Sequence, residues 1–101
     1  MRIEIQIRLY DSSAIITAIN RGVLGTIRIN SPEQTTLTRL KNKVSVQEYA
    51  EKCASKLIDS VNGGSIKAVA LGNIQLDMES GLIRHIKGAF NIYKDFERLE
   101  V

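Results

Sequence analysis

Residues 44–64 read VSVQEYAEKCASKLIDSVNGG, and this stretch specifies a helix more completely than any other part of the chain. Ser45 and Glu48 have the spacing of a capping box, in which each side chain satisfies a free backbone N–H of the first turn. Val44 and Tyr49 have the spacing of a hydrophobic staple around that cap. Val46, Tyr49, Ala50, Cys53, Ala54, Leu57, Ile58 and Val61 then recur at helical intervals. Asn62-Gly63-Gly64 ends the run with residues that tolerate the left-handed conformation beyond a helix terminus. The stretch predicts a helix over 46–61 with one apolar face, which must pack on something flat and apolar. The polar face mixes Glu48, Glu51, Lys52, Lys56 and Asp59, a balance that suits solvent rather than a polyanion.

Working outward, the first strand is clear. Ile3, Ile5, Ile7 and Leu9 alternate with Arg2, Glu4, Gln6 and Arg8, so one face is buried and the other wet. Asp11-Ser12-Ser13 resembles a helix cap, and Ile15, Ile16, Ile19 and Val23 fit a short helix over 12–22. The density of β-branched residues there also fits a strand. Residues 24–30 read as a strand. Residues 31–43 are Thr-rich and poorly periodic, and form a long basic connection with at most one helical turn.

Beyond the central helix, 66–71 and 74–79 read as strands joined at Gly72-Asn73 in a tight hairpin. Ser80 then caps a last segment in which Leu82, Ile83, Ile86, Ala89, Phe90, Tyr93 and Phe96 form a helical stripe. Leu82, Ile86, Phe90 and Ile92 also permit a strand, and Gly88 weakens a helix. The expected fold class is α+β: a single domain over 1–101, a two-layer sandwich. It has a mixed or antiparallel sheet of about four strands, with two or three helices on one face.

Composition narrows the function classes. The chain has 101 residues, enough for one core. Fourteen of them are Ile and only five are aromatic, so a platform of stacking aromatics for single-stranded nucleic acid is disfavoured. A single Cys allows no internal disulfide, and neither a signal-peptide pattern nor an apolar run long enough to span a bilayer is visible. The expectation is a soluble cytoplasmic domain. The net charge of +3 is unevenly placed: residues 12–47 hold Arg21, Arg28, Arg39, Lys41 and Lys43 against Glu33 alone.

No catalytic motif is visible. His85 is the only His and has no partner at metal-ligand spacing. Cys53 falls in the apolar stripe of the helix and reads as a small buried hydrophobe. Asp11, Asp77 and Glu79 stand at strand ends and would hold a divalent cation only if the fold gathered them. The glycines match neither a dinucleotide fingerprint nor a P-loop. No cofactor and no enzyme activity are expected.

Two families come into view. The first 21 residues, a strand followed by Asp11-Ser12-Ser13-Ala14, together with Leu76-Asp77 through Phe90 with Ile83-Arg84 inside, resemble the small dimerising subunit of the KEOPS tRNA-modification complex. Gly88-Ala89 stands where that family carries Asn-Ser, and its plan has no counterpart of the 46–61 helix. The order of elements around Gly72-Asn73 resembles Alba-type chromatin and RNA-binding proteins, without their glycine motif before the second helix. No functional residue carries over from either.

The residues therefore point to a non-catalytic protein interaction module, a homodimer or other homo-oligomer or a small subunit of a larger assembly. Phe90, Tyr93 and Phe96 form the candidate interface, since aromatics favour interface cores; the same residues would equally complete a monomer core. The alternative is a nucleic-acid-binding domain using Arg28, Arg39, Lys41 and Lys43 as phosphate contacts.

Overall fold

The computed structural model describes residues 2–10, 12–30, 43–62 and 66–94. Three strands come first, β1 (Arg2–Leu9), β2 (Ala14–Ile19) and β3 (Val23–Ile29). The helix α1 (Lys43–Asn62) follows, then β4 (Ile66–Ala70), β5 (Gln75–Glu79) and β6 (Leu82–Lys94). All six strands join one sheet in the order β3-β2-β1-β6-β4, with β5 also on β6. Every pairing is antiparallel.

This corrects the expected class. The sheet has six antiparallel strands rather than about four, and one helix rather than two or three lies among the described residues. Residues 14–19 are a strand, not a helix: Ala14, Ile16 and Ala18 are buried while Ile15, Thr17 and Ile19 are half-buried on the other face. That period-2 split uses the β-branched residues where they pack best. The connection at 31–42 lies outside the described residues.

In the final segment Leu82–Lys94 is likewise a strand, not a helix, and the reason is specific. Between β5 and β6 the register shifts: Asp77 pairs with His85, but Met78 pairs with Ile83. Arg84 is the extra residue of this β-bulge, so Ile83 and Ile86 share a face although three apart. A bulge in a strand therefore imitated helical spacing. Ser80 does not cap a helix. With Gly81 it makes the two-residue turn of the β5–β6 hairpin, at φ of 54° and 79°. Positive φ at both positions is what a type I′ turn requires.

Gly72-Asn73 is accordingly not a hairpin turn. β4 and β5 lie in line along one edge of β6, where Ala70 pairs with Phe90 and Gln75 with Lys87. The chain swings out between them, held by the Leu71 N–H donating to the Ala89 carbonyl at 2.8 Å. Ile74 returns over Gly88, where an added Cβ would sit 3.5 Å from Ile74 Cγ1. The glycine that weakened a helix thus admits a close approach in a strand.

The helix covers one face of the sheet. It starts at Lys43, so Ser45 lies in its first turn rather than at its cap. Val46, Ala50, Cys53, Ala54, Leu57 and Ile58 are buried, as the stripe predicts, whereas Tyr49 is half-buried and Val61, at the end of the stripe, is exposed. The buried residues meet Ile3, Ile5, Ile7 and Leu9 of β1, Ala14, Ile16 and Ala18 of β2, Ala68 of β4, and Ile83, Ile86, Phe90 and Ile92 of β6. Each of the Val, Leu, Ile and Phe side chains among them contributes about 1.5–3 kcal/mol by leaving water. At its C-terminal end α1 approaches β3 closely at Gly25.

Candidate interaction surface

Among the described residues the helix covers one sheet face and no element covers the other, the bare face, whose side chains the register arranges in rows across the strands. One row runs Arg28, Ile15, Arg8, His85, Asp77. The next runs Thr26, Thr17, Gln6, Lys87, Gln75. Then come Ile19, Glu4 and Ala89, and after them Arg2, Asn91 and Val69. Tyr93 and Lys67 close the face. Residues in β1 alternate in and out, so Arg2, Glu4, Gln6 and Arg8 all reach this side.

Some of its charges are paired. His85 Nδ1 lies 3.2 Å from Asp77 Oδ2, and Lys87 Nζ 3.9 Å from Glu4 Oε1. Gln6 Nε2 donates to Glu4 Oε2 at 3.0 Å, and Asn91 Nδ2 to Tyr93 Oη at 2.6 Å. Arg28 Nη2 makes a long contact, 3.4 Å, with Ser13 Oγ. Arg2, Arg8 and Lys67 are exposed. Across the rows, Arg2, Arg8, Arg28, Lys67 and Lys87 face Glu4 and Asp77, so the surface is net positive. Ile15, Ile19 and Val69 stand half-buried among these charges.

At the end of β1, a cleft of about 450 Å³ is lined by Arg8, Leu9, Tyr10, Glu79, Arg84 and His85. It opens to solvent and combines two guanidinium groups and an imidazole with one carboxylate. His85 Nε2 is buried and has no hydrogen-bond partner among the described residues. Cys53 packs on the helix side of the sheet, whereas His85 belongs to the bare side. The sheet separates them, so they form no nucleophile–base pair.

The expected site residues disperse. Arg28 lies on the bare face. Arg39 and Lys41 lie outside the described residues, and Lys43 is the first residue of α1, its side chain likewise outside them. Phe90 is 0% exposed, on the helix side, and so belongs to the core. Tyr93 is 38% exposed, three residues on, on the opposite face. Phe96 lies outside the described residues, as does Asp11; Asp77 is engaged by His85 and Glu79 lines the cleft. Sequence reasoning missed Ile15, Ile19, Val69 and Lys87 as surface partners of Arg8. The strict alternation of β1 was the available signal, but the partners come from register.

No helix among the described residues is long and apolar enough to cross a membrane. No family model, curated protein or solved structure matches the chain.

Proposed function

We propose that the chain is a non-catalytic interaction module whose bare sheet face docks a partner protein with an acidic, partly apolar surface. The observation that carries this is the row Arg28–Ile15–Arg8, in which an aliphatic side chain stands between two guanidinium groups. Arginine is enriched at protein interfaces, and its planar fork binds carboxylates in pairs. Ile15, Ile19 and Val69 gain from burial against apolar atoms, which a phosphate backbone does not offer. Partner carboxylates flanking an aliphatic patch would satisfy both kinds of residue.

One observation favours a second reading. Arg28 and Arg8 lie two strands apart on one row and also suit phosphates. The test separates the two. A partner captured by the immobilised chain is purified and titrated against the wild type and against Ile15→Glu and Arg8→Glu, with folding checked by circular dichroism. Loss of the purified complex in both variants supports the proposal; binding indifferent to both overturns it. A parallel titration with RNA and duplex DNA at low salt decides the other reading. Binding that falls steeply with salt, is lost in Arg8→Glu with Arg28→Glu and survives Ile15→Ala would replace a protein partner by nucleic acid.

A further inference from the structure

The two edges of the sheet are finished differently. On one side, β4 is closed by the helix: the Ala68 N–H donates to Ser55 Oγ at 2.9 Å and the Ala70 N–H to Glu51 Oε2 at 2.8 Å. These side chains take the edge N–H groups that another strand would need. β5 continues that edge with only five residues, carries Asp77 and Glu79, and meets β6 through a bulge. Short length, charge and bulges are the devices that protect an edge from pairing.

β3, on the other side, is neither as short nor as charged. It is seven residues long, Arg28 is its single charge, and among the described residues it pairs with β2 alone. Its irregularity is confined to the start, where Ile19 pairs with Val23 and Ala18 with Gly25; the pairing from Gly25 to Ile29 is regular. Val23 is 67% exposed. Among the described residues this edge is open and nearly uncharged, and such an edge is a template for another strand.

We infer that β3 is a dimerisation strand, on which a second copy of this chain pairs its own β3 antiparallel about Thr26. The sequence of the strand selects both the partner and the register. A two-fold axis perpendicular to the sheet keeps both helices on one side and opposes residues that share a face. Thr26 is the midpoint of β3, so a ladder centred there runs from Val23 to Ile29, with the bulge at Leu24 confined to its outer pairs. Leu24 then opposes Arg28, Gly25 opposes Ile27, and Thr26 opposes its own copy. The two Arg28 residues stand four positions apart along the ladder, about 14 Å, and do not repel at contact distance. Moving the axis to Ile27 would bring the two guanidinium groups to diagonal neighbours. The Thr26 pair would extend a threonine row that already exists, since Thr17 Oγ1 and Thr26 Oγ1 are 3.4 Å apart. The dimer uses the edge and leaves the bare face of both copies open, so it is independent of the protein-docking proposal above.

Cysteine scanning at the axis tests the register. The thiols of Thr26→Cys would face each other across the two-fold axis, within reach of a disulfide, and those of Arg28→Cys would not. Diamide takes up the two electrons and two protons released when the disulfide forms. The native Cys53 is buried. The expected result is a species of twice the mass on a non-reducing gel for Thr26→Cys and none for Arg28→Cys. Sedimentation should give a wild-type dimer, and a monomer for Thr26→Lys with unchanged circular dichroism, because two ammonium groups would meet on the axis. Ile15→Glu, on the face, should remain dimeric. A wild-type chain that sediments as one copy at millimolar concentration overturns the inference. Equal cross-linking of both cysteine variants, or a dimer that survives Thr26→Lys, overturns it as well.

Discussion

The Glu51 carboxylate accepts a hydrogen bond from the Ala70 backbone N–H at 2.8 Å, so a helix side chain occupies the place of a neighbouring strand. One turn on, Ser55 Oγ does the same for Ala68 and also donates to the Glu51 carbonyl at 2.8 Å. The polar face of α1, which in sequence reads as solvated, thus completes the backbone bonding of β4. Unpaired edge N–H groups are costly when shielded from water and sticky when exposed to it.

Replacing Glu51 by Ala should therefore cost about 1–2 kcal/mol, the usual effect of removing the acceptor of a partly buried N–H. Glu51→Gln keeps an oxygen at the site and should recover most of the loss. Urea unfolding midpoints of the three proteins measure it. Ser55→Ala should behave like Glu51→Ala, whereas Glu48→Ala, on an exposed position, should change little.

Gly25 and Val61 form a close contact between β3 and the end of the helix. A Cβ on Gly25 would lie 2.7 Å from Val61 Cγ2, closer than atoms tolerate. Gly25→Ala should destabilise the fold by about 1 kcal/mol, at the low end of overpacking effects. Val61→Ala removes the obstructing methyl, so in the double variant the alanine at 25 should be neutral or better. A double-mutant cycle by chemical denaturation reads the coupling, and additive effects would contradict it.

Phe90 and Tyr93 are three residues apart in β6 and have opposite fates, because a strand sends odd and even positions to different faces. Phe90→Ala should cost about 3–5 kcal/mol, the range for a fully buried aromatic. Tyr93→Ala should cost well under half of that, since Tyr93 is 38% exposed. Thermal unfolding of the two variants checks the assignment. A helix over these residues would instead have placed both on one side.

The turn at Ser80 and Gly81 puts a non-glycine residue at φ 54°. Asparagine occupies that region more readily than serine, and Asn-Gly is the preferred pair for this turn. Ser80→Asn should raise stability by about 0.5 kcal/mol, whereas Gly81→Val should lower it by more than 1 kcal/mol. Differential scanning calorimetry resolves both directions.

The sequence by itself determined the elements whose order is local. The alternation of Arg2–Leu9 and the helical stripe from Val46 to Ile58 emerge with the buried faces that their periods imply. Both patterns repeat along the chain, so they need no knowledge of neighbours. Tertiary structure decided the rest, because strand pairing joins residues far apart in sequence. The bulge at Arg84 gave β6 a helix-like spacing that only its partner β5 exposes as an irregular strand. Ile15, Ile16 and Ile19 fitted two periods until β1 and β3 paired on either side of them. Gly72-Asn73 and Ser80-Gly81 both carry turn residues, and only the second reverses the chain, since β6 accepts β4 and β5 along one edge. The candidate surface depends on register most of all. Arg28, Ile15 and Arg8 come from three strands, and a slip of one residue would turn any of them into the core.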